Sequence, residues 1–140
     1  LAAELAKKHP EKYFYANQYA NENNWKAHYN TTAEEIFSEV PEIDYFVSGL
    51  GTTGTFTGTS LKLKELNPRI TTVAFQPDNA LHGLEGWKHL ETAIVPAIFQ
   101  PEVADRIIEV STEHAYQIIA EVYHNDGILR HDYSSYYHEA

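Results

Sequence analysis

The residue types that could do chemistry gather in one stretch, Ser48-Gly49-Leu50-Gly51-Thr52-Thr53-Gly54-Thr55. Its three glycines tolerate positive φ and let a ligand approach the backbone closely. Its three threonines add hydroxyl donors. Phe46 and Val47 before it read as a buried strand, and a helix begins near Phe56. A helix starting there points unpaired N–H groups and a positive dipole end into the loop. The chemistry of such a junction is anion binding, with a phosphate as the natural guest. No basic residue lies between Val47 and Leu61, so amides and hydroxyls must carry the binding. On this reading Gly54→Val abolishes binding without unfolding the domain.

Other readings of the same stretch stay open. Gly49-x-Gly51-x-x-Gly54 fits the dinucleotide fingerprint, which asks for an acidic residue at the end of the next strand to hold a ribose hydroxyl. That place holds Gln76 and Pro77, with Asp78 just beyond. The lysine of a phosphate-binding P-loop is absent, since Phe56 and Thr57 follow Thr55. A tight strand-to-helix turn with no ligand is the plain alternative. Elsewhere, His124, His131 and His138 recur at a seven-residue spacing, with His114 upstream. Ligands on one helix need i, i+3 or i+4 spacing, and Gly127 interrupts the series, so no metal site is expected. Glu34, Glu35, Glu109 and Glu113 read as capping and solvated charges. Tyr133, Tyr136 and Tyr137 lack the interleaved basic residues that single-strand binding needs.

The elements that must position the loop follow from the pattern of the chain. Residues 1–8 are helix formers, stopped by Pro10. Tyr13-Phe14-Tyr15-Ala16 is expected as a short strand, and residues 17–29 as a polar loop. Thr31 with Glu34 three residues on is a capping box, opening a helix that runs to about Val40 and stops at Pro41. Residues 44–48 form the central strand, residues 55–65 the helix after the loop, Asn67-Pro68 a turn, and residues 70–75 a second strand. A loop over residues 76–86 and a mixed stretch to Gln100 lead to a strand at 106–110. Ser111 opens a helix with the apolar stripe Ala115, Ile118, Ile119 and Val122. Gly127 closes it. Ile128 and Leu129 are expected to begin another strand. The sum is an α/β fold, a mostly parallel twisted sheet with helices on both faces and ligands at the carboxyl ends of its strands.

Composition narrows the function. The 140 residues amount to one domain with a real core. No stretch is long enough to span a membrane, and the amino terminus lacks a signal-peptide pattern. With no cysteine there is no thiolate chemistry and no disulfide, which fits a reducing compartment. A net charge of -10 argues against a nucleic-acid partner. The chain has no methionine, even at position 1, and opens on an uncapped helix; both are expected of a cut through a larger fold.

Several separated blocks then agree, in order, with a known family. Asn17-Gln18-Tyr19, His28-Tyr29-Asn30-Thr31-Thr32-Ala33-Glu34-Glu35-Ile36 and the stretch Asp44 through Thr55 resemble the cysteine synthase and cystathionine β-synthase family of pyridoxal-phosphate enzymes. The agreement continues through Leu66-Asn67-Pro68, Val73-Ala74-Phe75-Gln76-Pro77 and Ile108-Glu109-Val110-Ser111, and ends at Asp126-Gly127-Ile128-Leu129. The resemblance implies that residues 1–129 are part of a two-domain pyridoxal-phosphate fold. It assigns the cofactor phosphate to Gly51, Thr52, Thr53, Gly54 and Thr55, with Thr53 where the family usually has glycine. It implies β-replacement on O-acetylserine or O-phosphoserine with a sulfur donor, an amino-acid substrate, a cytoplasmic setting and a homodimer in the full-length family. It implies neither a nucleic-acid nor a membrane partner. A non-catalytic phosphate-binding pseudo-enzyme and a dinucleotide-binding domain stay open as alternatives.

Two departures follow from the same comparison. The family's Schiff-base lysine and its Thr-Ser-Gly-Asn substrate loop belong upstream of Leu1. Lys7, Lys8, Lys12, Lys26, Lys62, Lys64 and Lys88 lie outside any such motif, so the chain alone is expected not to make cysteine. Residues 130–140 form a divergent tail, as a truncated or frame-shifted end would. Within it, Ser134 or Ser135 could meet the cofactor's pyridine nitrogen only with a one-residue insertion.

Overall fold

A computed structural model describes residues 1–128. Three strands, β1 (Tyr45–Gly49), β2 (Thr71–Pro77) and β3 (Arg106–Val110), pair in parallel in the order β1-β2-β3. Val47 faces Val73 across the first pair, and Phe75 faces Ile108 across the second. Helices α1 (Ala2–Lys8), α2 (Asn23–Asn30) and α3 (Thr32–Glu39) precede β1, α4 (Gly54–Leu66) connects β1 to β2, and α5 (Thr112–Asp126) follows β3. This is the expected α/β architecture with a parallel sheet.

Two short polar devices start the later strands. Asn67 at the end of α4 donates from Nδ2 to Ile43 O at 2.9 Å and accepts from Arg69 N at 3.1 Å, which sets the turn into β2. Asp105, just before β3, accepts from Thr72 N at 2.7 Å and from Lys64 Nζ at 2.7 Å. The Lys64 ammonium, followed by the Thr72 amide, holds the Asp105 carboxyl down at about 2.

The core lies between α4 and one face of β1 and β2. Leu50, Phe56 and Ala74 are fully buried there, and the Phe46 and Phe56 rings stack at 6.3 Å. Ala33, Leu63 and Ile70 extend it under α3. Helix α2 crosses α4 almost backbone to backbone. A Cβ on Gly58 would sit 2.0 Å from Trp25 O, so only glycine fits. Around that crossing the Tyr29 hydroxyl donates to Glu65 at 2.6 Å, and Lys62 pairs with Glu34 at 3.1 Å, linking α2, α3 and α4. The rest is thinly covered. Tyr45 and Val47 on the other face of β1 are 62% and 54% exposed. Among the described residues none of α5 is buried.

Several local expectations change. Tyr13-Phe14-Tyr15-Ala16 is not a strand; with no neighbour to pair with it, Phe14 stands exposed. The polar stretch before Thr31 contains α2, because Trp25 and Tyr29 are held against α4. Thr31 is the N-cap of α3, but no side chain caps that helix: the Thr31 hydroxyl donates back to Ala27 O at 2.8 Å, so the capping box does not form. Ser111 does cap α5, accepting from His114 N at 3.2 Å, and Gly127 closes it in the left-handed region at φ 66°. Ile128 is not in a strand, and Leu129, with residues 130–140, lies outside the described residues.

Candidate phosphate-binding site

The loop is anchored through Leu50. Its N–H donates to Phe75 O at 2.9 Å and its carbonyl accepts from Lys88 N at 2.8 Å. Residues 51–55 therefore emerge at the carboxyl end of β1, beside its parallel neighbour β2. Thr53 is the N-cap of α4, Gly54 its first residue and Thr55 its second. The first backbone bond of the helix runs from Thr57 N to Thr53 O at 2.8 Å. No side chain caps this end, so the first-turn N–H groups are left for a ligand. Gly54 and Phe56 are buried, and an uncapped buried helix end calls for a partner. These groups fit a phosphate: N–H donors, two nearby hydroxyls and the dipole of a 13-residue helix.

The glycines do not serve as expected. Among the described residues the glycines with positive φ are Gly86 and Gly127. Within the loop the left-handed residue is Thr53, at φ 71°. That geometry explains why the resembled family favours glycine at this position. A β-branched residue there costs roughly 1–2 kcal/mol, and the buried Thr53 Oγ1 has no hydrogen-bond partner. Gly51 and Gly54 are needed for close packing instead. A Cβ on Gly51 would lie 2.6 Å from Gly86 O, and one on Gly54 would lie 1.9 Å from Asn24 Oδ1. Gly54→Val would thus push away the Asn24 amide that holds Thr52, and it is no clean test of binding.

Residues distant in sequence hold the hydroxyls. Asn24 Nδ2 donates to Thr52 Oγ1 at 3.2 Å and to Gln18 O at 2.7 Å. The His28 ring lies between Thr55 Oγ1, 3.1 Å from Nε2, and Thr32 Oγ1, 3.0 Å from Nδ1. Trp87 forms a wall: it meets Phe75 edge-on at 4.3 Å and closes over Gly49. Asn24, His28 and Trp87 carry no spacing signal toward the loop, and only the tertiary fold reveals them.

The remaining candidates sit elsewhere. Asp78 N–H donates to Val110 O at 3.1 Å, and its carboxylate accepts from Asn79 at 2.6 Å. His114 and His124 lie on α5, while His131 and His138 fall outside the described residues. Among the described residues no group of three or more His, Cys, Asp or Glu could hold a metal ion. Ser134 and Ser135 also fall outside them. A cleft of about 460 Å³ lined by Glu42, Asp44, Leu66, Asn67 and Arg69 lies at the opposite end of α4 from the loop. No described helix is long and apolar enough to cross a membrane.

Known proteins share the sequence and the fold of this chain. The family model for pyridoxal-phosphate dependent enzymes matches residues 1–136. A cysteine synthase of Aquifex aeolicus is 46% identical over 127 residues, covering 90% of this chain and 39% of that protein. Cysteine synthase B of Escherichia coli is 33% identical over 132 residues, covering 92% of this chain and 42% of its own length. The crystal structure of a hydrogen sulfide-producing enzyme from Fusobacterium nucleatum superposes with a TM-score of 0.82 at 35% identity, over 94% of this chain and 47% of that one. The chain thus spans about two fifths of the length of the curated relatives it matches. With a family match across nearly its whole length and the fold of a solved relative, the chain belongs to the pyridoxal-phosphate dependent enzymes.

Proposed function

We propose that this chain forms the phosphate-binding part of a cysteine synthase-like enzyme. Such an enzyme replaces the β-substituent of O-acetylserine or O-phosphoserine with sulfur from a donor, yielding cysteine. One observation carries the reading: the uncapped amino end of α4 opens onto residues 51–55 at the carboxyl end of β1. Pyridoxal phosphate, the cofactor of the family, supplies an electron sink when bound. The chain's own residues bind and orient it. The amides of residues 51–55 and the Thr52 and Thr55 hydroxyls hold its phosphate, with Asn24 and His28 fixing those hydroxyls. Trp87 and the loop around Gly86 screen one side from water. Ser134 or Ser135 would meet the pyridine nitrogen. In the complete enzyme the reading adds an amino-acid substrate, a cytoplasmic setting and a homodimer.

The 140 residues alone would bind cofactor without turnover. Lys26, Lys62 and Lys64 are engaged in ion pairs, and Lys7 and Lys8 lie on α1. A phosphate anchor without an imine-forming lysine leaves the reactive carbon unplaced. Positioning is worth roughly 7–11 kcal/mol of barrier. The test titrates the chain with pyridoxal phosphate and records its absorbance before and after borohydride. Thr52→Val, which removes a hydroxyl but leaves the helix end, is expected to weaken binding about tenfold. Unchanged affinity in folded Thr52→Val would move the site away from the loop. Cofactor fixed to a lysine by borohydride, together with cysteine formation from O-acetylserine or O-phosphoserine and sulfide, would overturn the proposed inactivity.

A further inference from the structure

The loop itself contains no cation, yet the fold ties the backbone of a lysine to its edge. Lys88 is 33 residues or more from every loop residue, and its backbone N–H is bonded to Leu50 O at 2.8 Å, one residue before Gly51. Its ammonium lies over the Tyr19 ring, 5.1 Å from the centroid. Tyr19 follows Gln18, whose carbonyl accepts from the same Asn24 Nδ2 that donates to Thr52 Oγ1. Lys88 is thus fixed at its backbone to Leu50, beside the loop, and at its ammonium to Tyr19, next in sequence to the residue that holds Asn24. Lys26, Lys62 and Lys64 each pair with a carboxylate. Lys88 is half-buried and forms no ion pair among the described residues. An aromatic face holds an ammonium in place without neutralising it.

We propose that Lys88 is the cation of this site, pairing with a phosphate monoester dianion held at or beside the glycine-threonine loop. The inference rests on the phosphate-binding reading and adds to it the residue that meets the ligand's charge. Amides and hydroxyls at a helix end stabilise a dianion only in part, and a lysine on the rim supplies a full opposite charge without entering the cradle. A phosphate monoester can reach this position from two sources: the cofactor's own phosphate, or the phosphate of a phosphorylated amino acid bound beside it. Tyr19 is a positioning residue for the ammonium.

The experiment titrates the full 140-residue chain with inorganic phosphate, pyridoxal phosphate and pyridoxal by calorimetry, for wild type, Lys88→Gln and Lys88→Arg. Circular dichroism checks that each variant folds. If the charge meets the cofactor phosphate, Lys88→Gln weakens both phosphate-bearing ligands about fivefold at low salt. The difference shrinks as salt rises, Lys88→Arg restores binding, and pyridoxal is unaffected. A second arm, on chain saturated with pyridoxal phosphate, compares O-phosphoserine with O-acetylserine. A loss confined to O-phosphoserine assigns Lys88 to the second ligand's phosphate. If wild type binds pyridoxal phosphate and Lys88→Gln changes neither arm, the inference fails and the loop reading stands. If wild type binds no phosphate-bearing ligand, both fail.

Discussion

Helices α4 and α5 are of similar length, and their sequences predict the reverse of their burial. Helix α5 carries a clear apolar stripe, yet Ile118 is 43% exposed and none of the described residues of α5 is buried. The first two turns of α4 read Gly-Thr-Phe-Thr-Gly-Thr-Ser, small and hydroxylated, and they hold most of the fully buried residues of the helix. Small residues let neighbours approach, so Gly54 admits the Asn24 side chain and Gly58 admits the Trp25 backbone. Close approach then excludes water from everything around the crossing. An apolar stripe needs a surface to meet, and α5 meets the loop at Gly83 through polar groups: the Tyr116 hydroxyl donates to Gly83 O at 3.1 Å and the Thr112 hydroxyl accepts from Gly83 N at 2.9 Å. Burial here follows the fit between elements more than hydrophobicity. The same packed crossing also orders the site, since Asn24 and His28 reach the loop from α2.

Substitutions can break that contrast at graded strengths. Gly58→Leu should be the most damaging. Its Cβ would start 2.0 Å from Trp25 O, a backbone atom that cannot move cheaply. A loss of about 4 kcal/mol or more is expected, read as a fall in the urea midpoint. A near-wild-type midpoint would show that α2 does not cross α4 here. Phe56→Ala should follow, at about 3–4 kcal/mol, because it empties the packed centre between α4 and the sheet; the same denaturation curve measures it.

Thr53→Gly should have the opposite sign. It removes a left-handed β-branched residue and an unpaired buried hydroxyl, against glycine's larger entropy loss on folding. A net gain of about 1 kcal/mol and a higher Tm are expected, and a lower Tm would mean that the Thr53 hydroxyl has a partner.

Asp105 tests the polar device behind β3. Its carboxyl is held down at about 2 in the folded chain, against an unfolded value near 3.9, so its contribution is fully present above the unfolded value. Stability is lost as pH falls from about 4 through 2. With the side chain 41% exposed, screening reduces the effect to about 1 kcal/mol. Asp105→Asn should remove that part of the acid dependence in pH-resolved melts; an unchanged acid limb would place the responsible carboxylate elsewhere. Ile118→Ser on α5 closes the series at under about 0.5 kcal/mol. A larger loss would show that the α5 stripe is packed against something in solution.

The loop and its junction were legible in the sequence because they depend on local chemistry. A strand, glycines with hydroxyl residues, and a helix lie within about twenty residues, and all three β-strands of the described fold were placed to within two residues. The helix start at Ser111 and the Gly127 terminus were equally local and were found. The capping box at Thr31 was also local, yet it failed: the Thr31 hydroxyl is used by the preceding helix, and α2 was itself invisible in an asparagine-rich stretch.

Taken alone, the order of the chain determined the parallel α/β fold, the expectation of an anion site at residues 51–55 and the resemblance to a family. These rest on spacing along the backbone, which a sequence states directly. The tertiary structure alone decided that Thr53 takes the left-handed turn, that Gly54 and Gly58 serve a helix crossing, and that Asn24 and His28 reach the loop while the Lys88 backbone is bonded beside it. Each of those facts depends on a distance between residues far apart in the chain. Such distances are fixed only when β1, α4 and α2 pack together, because a side chain's partner is chosen by the surface it meets and not by its neighbours in sequence.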